Sequence, residues 1–256
     1  VVMNLISKIY VGSFDSVFSD VYEKYLSKGS LIVNFLYFAN FVRVLRVKNN
    51  VDRKYEKALL SSDFVLPDGI ALQVFYMISK IFCRVESARY WLDNCNGTDF
   101  TLSFLSSLKE RNGKFLIHLY GGNDKQLIGA QKFLLDKGFE IGNVKNGYSE
   151  WIWDDLENKH DKSYFDVLLV ARGTPLQENR IYDNIDQIKE REFMVMGVGG
   201  LFGFWSGDEI RAPKLFVILK LEWLWRFIQN PRKNFWKVIN SVCLPYYVFY
   251  YLLLKK

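Results

Sequence analysis

Only three cysteines occur among the 256 residues, Cys83, Cys95 and Cys243, and no two stand at C-x-x-C spacing. Neither a disulfide framework nor a cysteine zinc site is indicated, and a reducing compartment is the expectation. Histidine is scarcer: His118 and His160 leave little material for a histidine metal site or a Ser–His pair. No Asp-x-Asp pair, a common holder of divalent metals, occurs anywhere. No signal-peptide pattern opens the sequence, since Val1–Ile9 is short, weakly apolar and without a cleavage signature. Repeats and low-complexity segments are missing. So is a clean membrane span. The run Val238–Leu254 is 17 residues without a charge, but Asn240, Ser241 and Pro245 interrupt it and four tyrosines crowd it. A spanning helix needs about 20 apolar residues, and tyrosine prefers the interface. This run is expected to lie on a bilayer.

What is present is unevenly distributed. The net charge is +6, yet from Arg211 onward there are nine Lys or Arg against one acid, Glu222, which leaves the first 210 residues at −2. The same tail holds eleven aromatic residues, Trp223, Trp225 and Trp236 among them. Basic and aromatic together suit an anionic membrane surface or a nucleic acid. The expected organisation is a near-neutral core over residues 1–210 and a basic, helical appendage over 211–256.

The core is organised around Asp166–Pro213. Two apolar runs, Val167–Val170 and Phe193–Met196, each end in glycine-bearing turns, and Pro175–Lys189 between them can form a helix. Similar units precede it. Strands are expected at Leu5–Tyr10, Leu31–Phe38, Phe64–Leu66, Lys114–Tyr120 and Phe139–Val144. Helices are expected at Asp15–Leu26, Tyr55–Leu60, Ile70–Lys80, Lys125–Lys137 and Ser149–Lys159, with Phe100–Glu110 capped by Thr98 or Asp99. Alternation at this period predicts an α/β fold with a mostly parallel sheet and helices on both faces. In the tail, Lys214–Gln229 is expected as one helix. A second follows, with Asn230 as cap and Pro231 at its first position.

Polar residues gather where the strands end, the usual place for ligands in open α/β sheets. Asp68, in a Pro-Asp-Gly turn after a strand, can serve as a general base if burial raises its pKa; its plainer role is to bond its own turn. Gly121-Gly122 is a phosphate-friendly turn. Gln177-Glu178 begins a helix, where the dipole favours the glutamate. Gly197–Gly200 resembles part of a dinucleotide fingerprint with the wrong glycine spacing. Arg211, Arg226, Arg232, Lys233 and Lys237 form a cationic cluster interleaved with tryptophans.

Taken in order, these pieces resemble the WecG/TagA/CpsF family of bacterial glycosyltransferases. The matching motifs are Pro67-Asp68-Gly69, Gly97-Thr98-Asp99, Tyr120-Gly121-Gly122, Asn146-Gly147-Tyr148, Gly173-Thr174-Pro175-Leu176-Gln177-Glu178, Gly197-Val198-Gly199-Gly200, Arg211-Ala212-Pro213 and Leu221–Arg226 followed by Pro231-Arg232. With Asn40 they span Asn40 to about Lys237. The resemblance implies a Rossmann-like core, a membrane-docking appendage and an inverting, metal-independent transfer. The sugar would pass from a UDP-sugar to a sugar on undecaprenyl diphosphate, at the cytoplasmic face of the bacterial plasma membrane, for surface polysaccharide, capsule or teichoic acid. It implies Asp68 as base. Asn40, Gly69, Thr98, Asp99, Gly121, Gly122, Tyr148, Gly173, Gln177, Glu178 and Gly199 would line the donor pocket. Arg211, Arg226, Arg232, Lys233 and Lys237 would hold the acceptor diphosphate. No cofactor, metal or nucleic acid is implied, and a homo-oligomer is possible. Five departures stand out: Phe38 replaces a threonine, Gly203 an aspartate, Lys220 a glycine, and Lys233 and Trp236 stand at arginine positions. The rival readings are a nucleotide-binding oxidoreductase using the Gly197 turn and a non-catalytic membrane or nucleic-acid binder using the tail.

Overall fold

The computed structural model describes residues 2–83, 89–111, 114–150 and 165–250. In chain order the elements are α1 Val2–Lys8, α2 Phe14–Lys28, β1 Leu31–Tyr37, α3 Phe38–Arg46, α4 Asn50–Ser61, β2 Phe64–Asp68 and α5 Ile70–Cys83. There follow α6 Gly97–Glu110, β3 Phe115–Gly121, α7 Asp124–Asp136, β4 Ile141–Lys145, β5 Phe165–Ala171, α8 Leu176–Asp183, α9 Ile185–Glu190, β6 Met194–Gly197 and α10 Leu201–Trp205. The last helices are α11 Lys214–Ile218, α12 Glu222–Gln229, α13 Pro231–Val242 and α14 Leu244–Tyr247. The expected helix at Ser149–Lys159 falls mostly outside the described residues.

The six strands form one parallel sheet in the order β2-β1-β6-β5-β3-β4. Both of its faces are covered, which is why the central strands read as apolar runs without polar alternation. On one face Leu31, Val33, Val167, Leu169, Met194 and Met196 pack beneath α2, α6, α7 and α10. The opposite face turns Ile32, Leu168, Val170 and Val195 towards α8 and α9, and Leu36 and Val65 towards α1, α3, α4 and α5.

Several local expectations are corrected. Leu5–Tyr10 is not a strand: α1 occupies most of it, and Leu5, Ile6 and Ile9 are buried at the spacing of a helix face. A single bridge, Ile9 to Val65, and the bond from Tyr10 N–H to the Val65 carbonyl cover the outer edge of β2. Phe38 begins α3, and no glycine or proline marks its change from strand to helix. The cap of α6 is Asn96, whose Oδ1 accepts from the Asp99 N–H at 2.9 Å, rather than Thr98 or Asp99. The expected helix 175–189 breaks at Asn184 into α8 and α9. The expected helix 214–229 breaks at Lys220, which takes a left-handed φ of 57°.

A side chain in that conformation costs about 1 kcal/mol or more relative to glycine. Lys220→Gly is therefore expected to stabilise the fold by roughly 1 kcal/mol in denaturant titration. An unchanged midpoint would mean that Lys220 makes good the strain through contacts of its own.

The helices after Pro213 fold back on the sheet. Tyr247 is fully buried and meets Phe38 edge-on at 5.8 Å, and Phe38 packs on Phe75 at 5.3 Å. The Arg46 guanidinium lies over the Tyr247 ring, 5.0 Å from its centroid. Asn234, also buried, donates to the Arg226 and Asn230 carbonyls at 2.8 and 3.1 Å and so locks α13 to α12. Among the described residues no helix is long and apolar enough to cross a membrane.

Candidate active site

A cavity of about 980 Å³ opens at the carboxyl ends of β2, β1 and β6. Its floor is sheet and its far wall is the chain's own C-terminal helices. Asp68, Thr98, Gln177 and Gly199 face Arg226 and Lys237 across it.

Asp68 ends β2 and stands beside Tyr37 in the parallel register. Gly69 follows with φ 85°, a conformation suited to glycine. The Gly69 N–H donates to Asn94 Oδ1 at 2.8 Å, and the Cys95 N–H to the Pro67 carbonyl at 2.8 Å. The 94–95 loop thereby clamps the turn that carries the carboxylate. The Asp68 side chain touches the cavity, but protein closes around it, and this burial pushes its pKa up to about 6. Arg226, and more weakly Lys237, pull it back down, while Glu222 and Asp99 push it further up. A carboxylate so poised can take a proton near neutral pH.

Gln177 is the hinge between two loops. Its Oε1 accepts from the Gly199 N–H at 2.9 Å, and its Nε2 donates to Glu178 Oε1 at 3.0 Å. Thr174 Oγ1 donates to the same oxygen at 2.7 Å. Glu178 is fully buried behind the cavity, and that burial raises its pKa to about 7 against the pull of these bonds. Gly197 has to be glycine, because a Cβ there would stand 2.3 Å from Asn34 Oδ1. The loops after β5 and β6 are thus fixed to each other through one amide side chain.

The tail cations are held by aromatic faces. The Arg226 guanidinium lies over Phe204 at 5.1 Å, and Lys237 Nζ over Tyr37 at 5.7 Å. Arg211 pairs with Asp99, and Trp225 Nε1 donates to the Ile210 carbonyl at 3.3 Å. These contacts bring α12 and α13 against the cavity. Among the described residues no group of three or more His, Cys, Asp or Glu could hold a metal.

The sequence matches the glycosyl transferase WecG/TagA/CpsF family over residues 5–256. The chain belongs to this family. It is 30% identical over 198 residues to an N-acetylglucosaminyldiphosphoundecaprenol N-acetyl-beta-D-mannosaminyltransferase of Bacillus spizizenii, covering 76% of this chain and 70% of the relative. It is 29% identical over 195 residues to the enzyme of the same description from Bacillus subtilis strain 168, covering 75% and 70%. The chain is a glycosyltransferase.

Within this glycosyltransferase the cavity brings together Asp68, Gly69, Thr98, Asp99, Gly173, Gln177 and Gly199 with Arg226 and Lys237. It does not bring in all the residues expected there. Asn40 is buried in α3. Gly121 and Gly122 turn at the end of β3, where the Gly147 N–H donates to the Gly122 carbonyl at 2.9 Å. Tyr148 is exposed beside that turn. Glu178 stands behind Gln177, Arg211 is engaged by Asp99, and Arg232 faces outward. The side chain of Lys233 lies outside the described residues. Sequence reasoning missed Tyr37, Asn94, Phe204 and Glu222 as parts of the wall. Tyr37 could have been suspected as the last residue of an apolar strand, but its place beside Asp68 depends on a strand pairing that no motif encodes.

Proposed function

We propose that this glycosyltransferase moves a sugar from a UDP-sugar to a sugar carried on polyprenyl diphosphate, with inversion and without a metal, at the cytoplasmic face of the membrane. The acceptor hydroxyl gives its proton to Asp68 as its oxygen attacks the anomeric carbon. The bond to UDP breaks on the opposite face, and UDP leaves with the electron pair. Arg226 and Lys237 meet phosphate charge, aided by amides of the Gly197–Gly200 turn. The observation that carries this reading is one cavity holding a carboxylate of raised pKa together with two cations from the far end of the chain. The relatives' acceptor, named in their descriptions as a diphosphoundecaprenol sugar, supports the same class here. Exposed aromatics on the last helices, Phe235, Trp236 and Phe249, would rest on the bilayer from which such a substrate is drawn.

UDP is expected to raise the melting temperature, while NAD and an oligonucleotide leave it unchanged; ligand that binds only the folded state stabilises it by mass action. A panel of UDP-sugars assayed on a polyprenyl-diphosphate sugar, with and without EDTA, then identifies the donor. Stabilisation by NAD and not by UDP would favour the oxidoreductase reading, and a chelator that abolishes transfer would overturn metal independence.

A further inference from the structure

The cavity mouth carries a second apolar margin, built from the core helix α5 and the corner of α11 and α12. Helix α5 begins at the cavity with Ile70, Ala71 and Val74 on its wall and ends, about 18 Å further along at 1.5 Å per residue, with Ile81 and Phe82 exposed. The segment 89–92 runs back along it. Lys80 Nζ sits over the Tyr90 ring at 4.9 Å, and the Leu92 carbonyl accepts from Gln73 Nε2 at 2.5 Å. Between these points Trp91 meets the corner of α11 and α12, with Lys220 Nζ 5.7 Å from its ring. That corner exposes its own apolar residues, Ile218 at 76% and Leu219 at 56%, and Tyr90, next to Trp91 in sequence, is 65% exposed. Two segments remote in sequence therefore form one apolar strip that reaches from the cavity mouth to the end of α5.

The charges on this strip select its partner. Lys80, Arg89, Lys214 and Lys220 surround it. Of the acids nearby, Asp93 pairs with Arg89 at 3.6 Å and Glu222, at the start of α12, lines the cavity. Tryptophan and tyrosine under lysine ammonium groups are the composition of a membrane interface, where rings sit at the headgroup level and the cations reach the phosphates. An apolar patch ringed by cations is complementary to an anionic leaflet.

We infer that the end of α5, the Tyr90–Trp91 segment and α11 with Leu219 form a second membrane-binding surface, selective for anionic lipid, that sets the cavity mouth against the bilayer. This surface rests on the proposed lipid-linked acceptor for its purpose but not for its test. The full chain carrying Phe82→Glu and Tyr90→Glu, both at exposed positions, is compared with the unaltered protein by co-sedimentation with phosphatidylglycerol–phosphatidylcholine vesicles. Binding is expected to weaken by about tenfold or more through loss of interfacial apolar contact and added repulsion. Melting temperature and turnover on a short-chain, water-soluble acceptor diphosphate stay unchanged. Trp236→Glu on α13 probes the other surface in parallel. Unchanged vesicle binding in the double variant overturns the inference, even if Trp236→Glu releases the protein. A self-associated wild type that the double variant splits in sedimentation velocity, with vesicle binding retained, overturns it in favour of a second copy of the chain. Loss of vesicle binding in a protein that transfers no sugar from any UDP-sugar supports the surface and sinks only the UDP-sugar reading.

Discussion

Asp68→Asn is expected to lower turnover by roughly 10²- to 10⁴-fold, the usual worth of a positioned general base, with little change in UDP-sugar binding. Asparagine keeps the shape of the β2 terminus and the clamp by Asn94 on Gly69, so the loss would report the proton acceptor and not the fold. As a base, Asp68 would work only when ionised. With its pKa near 6, turnover should rise with pH through that value and level off above about pH 7. The same substitution carries a second signature. Asp68 has a folded pKa of about 6 against an ordinary 3.8, so the folded state holds its proton more tightly than the unfolded one. Its contribution to stability is complete below about pH 4 and is lost as pH rises through about 6. At pH 8 the unaltered enzyme bears the whole cost of a buried charge, and the neutral variant should be more stable by up to about 3 kcal/mol. A dead enzyme with a raised melting temperature at pH 8 is thus the expected pair of results. Wild-type turnover in the variant would remove Asp68 from the mechanism.

Arg226→Ala is expected to cost about 10²-fold in kcat/KM for the lipid-linked acceptor, the range for removing a charge-assisted, two-pronged contact to phosphate. It should also move the acidic limb of the pH–rate profile above 6, because Arg226 is the strongest charge holding the Asp68 pKa down. A role confined to packing on Phe204 would not produce that displacement. Arg226→Lys keeps the charge but loses the planar fork. It should restore the limb towards its original position while recovering only part of the acceptor affinity. If Arg226→Ala left both the acceptor KM and the pH profile unchanged, the C-terminal cations would have no part in this site.

The parts of this fold that were legible are those in which local pattern and tertiary role agree. The runs 31–37, 115–121 and 165–171 are apolar because they are buried on both faces, and such runs are hard to read as anything but strand. The failures have local causes. Leu5, Ile6 and Ile9 look like part of a strand over six residues and like a helix face only once Met3–Ser7 joins them through its own turn. Nothing between Tyr37 and Phe38 signals a change of backbone, because the helix starts without a side-chain cap. The break at Lys220 is invisible because lysine is an ordinary helix residue; only the backbone conformation reveals it. At the site, Asp68 and Gln177 could be named because glycine turns and strand ends punctuate the sequence around them. Tyr37 and Phe204 could not. They serve as the seats of Lys237 and Arg226, and that pairing joins positions 200 and 22 residues apart.

Phe38, where a threonine was expected, shows how one position can take on two duties. It lines the cavity and is also the ring against which Tyr247 closes. The last helix is therefore anchored on a residue that the first half of the chain has already placed. The strand that joins the β1–β2 pair to β5, β3 and β4 is β6, the last in sequence, and the wall bearing Arg226 and Lys237 follows it. A chain shortened before α12 would keep Asp68 on its strand end and lose the cationic wall that lies across the cavity from it.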